Sequence, residues 1–278
     1  AEVVIPAGSL SAVSLDFTTE EVGSFVVEVE GGNVGAVLDL LITEAVTETG
    51  PVFRPPATCC QSAFAARLHL HSGTTRFTQF DHWGFRHVVL VARHATRPLT
   101  VRLRLRTCLY PLDAVAPLRT ADPLIDRIWD LCVRTQQCCS LDAYVDCPWR
   151  EQAQWWGDAR VQAVNTFVLS ADPRLLERGI RQIAGQSVPN GLTYGHAPTI
   201  AHSCILPDFT LTWITTLHDH WRQTGDLGLF REQLPRVRQA LEYFRGMQAK
   251  KGPAKGLLPY DPRYWQFLDW CPIFNDGY

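Results

Sequence analysis

Between Asp146 and Asp158 the chain reads DCPWREQAQWWGD. These thirteen residues carry three carboxylates (Asp146, Glu151, Asp158), one guanidinium (Arg150) and three indoles (Trp149, Trp155, Trp156). A buried core disfavours the charges, and a solvated surface disfavours the indoles. A carbohydrate site uses both: carboxylates accept hydroxyl hydrogen bonds and move protons, while an indole face covers the apolar face of a sugar ring. Cleaving a glycosidic bond needs a carboxyl group beside the glycosidic oxygen, and usually a second one.

Each residue also has a plainer reading. Glu151 sits between a cation, which favours its carboxylate, and apolar indoles, which favour its acid form. It is the general-acid candidate, or else a surface glutamate near a helix start, where the dipole stabilises it. Asp146 and Asp158 suit paired sugar hydroxyls, yet Asp146 can cap a helix that has Pro148 at its start, and Asp158 one that follows Gly157. Glu151 and Asp158 would share a face if the segment were helical throughout, but Pro148 and Gly157 argue against that. Arg150 either binds a hydroxyl or holds one of the carboxylates. Among the histidines, His218 and His220 are two apart on a helical run and point away from each other, which disfavours a shared metal. His196 and His202 lie in a loop-like stretch, GLTYGHAPTIAHSC, where substrate contacts are common.

The chain has 278 residues and a formal charge of −2, which disfavours nucleic acid or a membrane surface as partner. It holds no apolar run of about 18 residues, so no transmembrane helix is expected, and its start lacks the pattern of a signal peptide. Nine cysteines without a CxxC pair fit unpaired thiols in a reducing compartment, hence a cytoplasmic location, and leave no zinc motif.

The elements that must position these groups come in two kinds. Ser24–Glu30 (SFVVEVE) and Val101–Arg106 (VRLRLR) alternate apolar and polar residues as half-buried strands do, and His87–Ala92 is a continuous β-rich run. Gly31–Gly32, Ser72–Gly73 and Arg97–Pro98 are turn signals between such runs. The pattern is that of an antiparallel β-sandwich, predicted over residues 1–113. Beyond it the period becomes helical. Ile125, Ile128, Leu131 and Cys132 fall on one face, as do Leu234, Val237, Leu241 and Phe244. Gly225 marks a helix stop and Asp226 the next start. Packed helical hairpins are predicted over residues 114–278, and the absence of an internal period disfavours a repeat scaffold.

The motif at Asp146–Asp158 resembles the signature of bacterial α-L-rhamnosidases, glycoside hydrolase family 78, roughly DCPxRDExxGWxGD. Here it is one residue shorter between the arginine and the glutamate. Gly84–Phe85–Arg86 resembles the family's GFRY segment, Leu206–Phe209 with Trp213 its PD…W stretch, Thr224–Asp226 its TGD turn, and Leu268–Trp270 its DW motif. The resemblance implies a β-sandwich followed by an (α/α)6 barrel. It implies inverting hydrolysis of terminal α-L-rhamnosides without a cofactor, and an oligosaccharide or glycoside as partner. It makes Glu151 the general acid. Asp146, Arg150, Trp155, Asp158, Asp208, Trp213, Asp269 and Trp270 become substrate-binding candidates, the tryptophans being either platforms or core. The family's general base lies in the second half of the barrel. The chain reaches Tyr278 after roughly five or six helical runs, so that base and part of the wall are expected beyond it. A sugar-binding relative with the same fold but no hydrolysis is the alternative.

Overall fold

The computed structural model describes residues 1–48, 50–51, 64–112, 115, 117–186, 188–201 and 204–267. Asp269, Trp270 and His202 lie outside these residues. The described strands are β1 (Glu2–Ile5), β2 (Gly8–Gly32), β3 (Val37–Thr43), β4 (Val46–Thr47), β5 (Gly50–Pro51), β6 (Ala65–His69), β7 (Gly73–Thr78), β8 (Trp83–Ala95) and β9 (Leu99–Thr107). They are followed by α1 (Pro123–Cys138), α2 (Trp156–Leu169), α3 (Arg174–Gly185), α4 (Pro207–Thr224) and α5 (Gly228–Met247).

Contacts divide the chain into two units that are not continuous in sequence. The first holds Ala1–Tyr110, Gln137–Leu141 and Cys147–Gln152, and the second Pro111–Gln136, Asp142–Asp146 and Ala153–Tyr278.

The first unit is an antiparallel sheet in the order β1-β9-β2-β8-β3-β6, with β7 also paired to β2. Its organising element is the long β2. The ladder of β2 with β8 shifts register between Asp16 and Glu21. There Thr18 has φ 68° and its N–H donates to Asp16 Oδ1 at 2.7 Å. Before this bulge β2 pairs with β8 alone, and after it β2 runs between β7 and β9. Such a bulge bends a strand and re-aims its side chains. The predicted alternation is present: Phe25, Val27 and Val29 are fully buried. They meet Leu38, Leu40, Ile42, Phe85, Val88, Leu90, Val101 and Leu103 in one core. The run at residues 87–92 is nearly all buried because β8 lies between β2 and β3.

In the second unit α4 touches α2, α3 and α5. Its buried face is Phe209, Trp213, Thr216, Leu217 and His220, a helical spacing. Gly225 ends it at φ 73°, a conformation that favours glycine. Asp226 Oδ1 then accepts the Gly228 N–H at 2.7 Å, so it serves the first turn of α5 from just outside it. The periodic stripe of α5 is only half realised: Val237 is buried, while Leu234, Leu241 and Phe244 are intermediate. The stripe on α1 differs more. The helix is present, but Leu124, Ile125, Ile128 and Leu131 are all exposed. Period alone reports a helix and an apolar face; it does not report what covers that face. No described helix is long and apolar enough to cross a membrane.

Candidate active site

The thirteen-residue motif is divided between the units: Cys147–Gln152 belongs with the sheet, and Asp146 and Ala153–Asp158 with the helices.

In the sheet unit, Cys147–Gln152 is held by backbone. The Gly84 N–H donates to Pro148 O at 2.9 Å. Glycine is required there, because a Cβ would lie 2.6 Å from the backbone of Pro148. Gln152, at φ 52°, donates through Nε2 to His82 O at 3.1 Å and to Pro148 O at 2.7 Å. Trp149 is buried in the core of the sheet, which makes it an anchor rather than a sugar platform. These ties leave Arg150 and Glu151 side by side. Arg150 Nη2 contacts Glu151 Oε1 directly, and the Glu151 side chain is only 19% exposed. Between hydroxyl binder and carboxylate holder, the geometry gives Arg150 the second role toward Glu151.

Two further acids stand beside this pair, and the sequence offered no motif for either. Glu44 follows β3, in a turn fixed by Thr43 Oγ1, which donates to Ala45 O at 3.1 Å. Burial pushes the Glu44 carboxyl above its usual range, while a hydrogen bond with Glu20 and the charge of Arg150 oppose the rise. Glu20 comes from the bulge of β2.

In the helical unit, Asp146 closes onto Ala153. The Asp146 N–H donates to Ala153 O, and the Ala153 N–H donates to Asp146 Oδ1, both at 3.0 Å. Asp146 is therefore not a helix cap. Asp158 is in the first turn of α2, inside the helix rather than at its cap, and is exposed. Trp155 is half-buried, with His196 against it at 4.3 Å between ring centroids and Phe209 at 6.2 Å. The Trp156 N–H donates to Gly195 O at 2.8 Å, and its indole N–H to Thr216 Oγ1 at 3.2 Å, which seats the loop that carries His196. Phe209 also meets Phe267, so Trp155, His196, Phe209 and Phe267 form an aromatic wall.

Asp208 stands at the start of α4, next to that wall in sequence. Desolvation raises its carboxyl above the usual range, opposed by backbone N–H groups of Asp208, Phe267 and Phe209. Its Oδ1 is buried without a hydrogen-bond partner. Such an oxygen is costly unless a ligand hydroxyl reaches it. Trp213, in contrast, is 1% exposed and donates to Ile180 O at 3.1 Å. Its faces are covered by protein, so it packs the helices and is not a platform for a sugar. His220 is buried with Nε2 3.1 Å from Glu177 Oε1, whereas His218 is exposed, so the two do not converge. Among the described residues no group of three or more His, Cys, Asp or Glu is placed to hold a metal.

Residues 113–277 match the family model described as the bacterial alpha-L-rhamnosidase 6 hairpin glycosidase domain. The fold of the chain is similar to the GH78 family rhamnosidase of Bacillus sp. GL1, with TM-score 0.83 and 22% identity, covering 99% of this chain and 28% of that one. It is similar also to the rhamnosidase from Klebsiella oxytoca with rhamnose bound, with TM-score 0.81 and 22% identity, covering 99% of this chain and 55% of that one. A third likeness is to the Streptomyces avermitilis α-L-rhamnosidase complexed with L-rhamnose, with TM-score 0.66 and 18% identity, covering 89% of this chain and 24% of that one. At these identities the likeness is one of fold, and the chain spans 28% and 55% of the first two structures. No curated protein matches the chain in sequence.

Proposed function

The chain belongs to the bacterial α-L-rhamnosidase six-hairpin glycosidase family, and from that premise we propose that its protein hydrolyses terminal α-L-rhamnosyl, or closely related, glycosidic bonds with inversion. The observation that carries the reading is Glu151: a largely buried carboxyl in contact with Arg150, on a segment tied by backbone to the sheet. In this reading Glu151 gives its proton to the departing glycosidic oxygen. A second carboxylate, roughly 6.5–9.5 Å away, draws a proton from water attacking the opposite face of the sugar. We assign that base to none of residues 1–278; the family resemblance places it in the second half of the barrel. The reaction so written uses no cofactor.

Asp146, Asp158 and Asp208 are the proposed acceptors for sugar hydroxyls, with Arg150 beside them in role. Trp155 is the proposed stacking surface, as the half-buried indole of the aromatic wall. Asp269 and Trp270 stay in the proposed binding set on the resemblance alone.

The test is hydrolysis by the gene product of aryl α-L-rhamnoside, beside aryl β-glucuronide and aryl α-glucoside, with proton NMR of the first sugar released. Turnover of the rhamnoside alone, with β-L-rhamnose appearing first, is expected. Turnover of another glycoside, or α-L-rhamnose first, would contradict the reading. Binding of rhamnose without turnover would favour the sugar-binding alternative.

A further inference from the structure

The carboxyl pair Glu20 and Glu44 has no part in the reaction written above, yet it reaches the general acid through one residue. Glu20 belongs to the β2 bulge, where the ladder with β8 breaks between Asp16 and Glu21. Glu44 follows β3 in the turn fixed by Thr43 Oγ1. Their side chains hydrogen-bond to each other. Two carboxyl groups bond in this way only when one proton is held between them, so they titrate as a pair. Arg150 is the cation that acts on Glu44, and its guanidinium contacts Glu151. From β8 the nearest charged side chains are His87 and Arg86, and both face Asp16, at 3.7 and 2.9 Å. They are thus engaged away from the pair.

We propose that Glu20 and Glu44 form a positioning pair that holds Arg150 from the side opposite Glu151 and divides its charge, so that Glu151 keeps the proton it must donate. The inference rests on Glu151 being the general acid. Its physical content is a balance. An unopposed guanidinium favours the ionised, catalytically empty form of Glu151, and one negative charge on the pair offsets that influence. Acid and cation can then stay in contact, which fixes the acid in place, without the acid losing its proton.

Two measurements on the gene product test this, one independent of activity. With 13C-labelled glutamate, the Glu44 carboxyl signal, identified by its loss in Glu44→Gln, should titrate above an ordinary glutamate. It should move up by roughly one pH unit more in Arg150→Met, as expected when a neighbouring opposite charge is removed. An unmoved signal in a variant that melts like wild type overturns the inference whatever the activity. The second measurement is the pH profile of kcat/KM. In Glu20→Gln/Glu44→Gln, which carries no charge at the pair, the alkaline limb should move about one unit to lower pH. The single Glu44→Gln keeps Glu20's charge and the hydrogen bond, and its limb should stay at the wild-type position. A merely structural role would lower the melting temperature or the plateau and leave the limb in place, and that result also overturns the inference. If the Glu44 signal responds but the wild-type protein cleaves no glycoside, it is the reading of Glu151 that fails, and the role assigned to the pair fails with it.

Discussion

Asp146 and Ala153 hold each other twice, by Asp146 N–H to Ala153 O and by Ala153 N–H to Asp146 Oδ1, both at 3.0 Å. These bonds close the neck of the segment that carries Arg150 and Glu151. Asp146→Ala leaves the Ala153 N–H without its acceptor, at a cost of about 1–3 kcal/mol. Asp146→Asn keeps an oxygen for that N–H and should melt close to wild type. If Asp146 also grips a sugar hydroxyl, losing the charge removes about 1.5–3 kcal/mol, so kcat/KM in the Asn variant falls about 10–150-fold. Melting curves and kcat/KM on the two variants separate the roles. A fully active Asn variant would leave Asp146 with the structural role alone.

Gly84→Ala should loosen the same segment from the sheet side. The added Cβ meets Pro148 backbone at 2.6 Å, where no flexible side chain can yield. Overpacking of this kind costs about 1–3 kcal/mol. Urea unfolding should register the loss, and kcat should drop with it because Arg150 and Glu151 lie on the displaced segment. Wild-type stability in Gly84→Ala would show that Pro148 moves aside freely.

Asp208→Asn should stabilise the fold while weakening sugar binding. A carboxyl whose pKa is raised in the folded state contributes most when protonated. That contribution is complete below its ordinary value of 3.8 and is lost as pH rises through the folded-state value. Asparagine imitates the protonated form at every pH. Thermal melting at pH 7 should therefore favour the variant, and the advantage should vanish in acid. A variant that melts lower than wild type at pH 7 would mean that the backbone N–H groups at the start of α4 depend on the charge.

Much of the scaffold was legible because it follows short periods. SFVVEVE alternates, and its Phe25, Val27 and Val29 are buried. Gly225 ends α4 as its position in TGD predicts. What escaped depends on partners that a period does not name. Ile125, Ile128 and Leu131 lie on a helix as expected, but on its exposed side. Trp213 reads equally well as platform or core until α3 is seen to cover it and Ile180 O to accept its N–H. Of the candidate site, Glu151 and Arg150 were visible as a motif, and their direct contact follows from adjacency. Glu20 and Glu44 were not, because a β-bulge and a strand order bring them to a segment more than a hundred residues away in sequence. Gln152 was also missed; its positive φ and its hold on His82 O leave no mark in composition.

The central claim is that Glu151 is the proton donor, and the most direct measurement is the leaving-group dependence of Glu151→Gln. Removing a general acid typically lowers kcat by about 10²–10⁴-fold. For an alkyl α-L-rhamnoside, whose departing oxygen needs a proton, the full loss is expected. For a dinitrophenyl rhamnoside, whose leaving group departs as a stable anion, the loss should nearly disappear. Equal losses for the two substrates, in a variant that melts like wild type, would contradict the account and make Glu151 a binding residue.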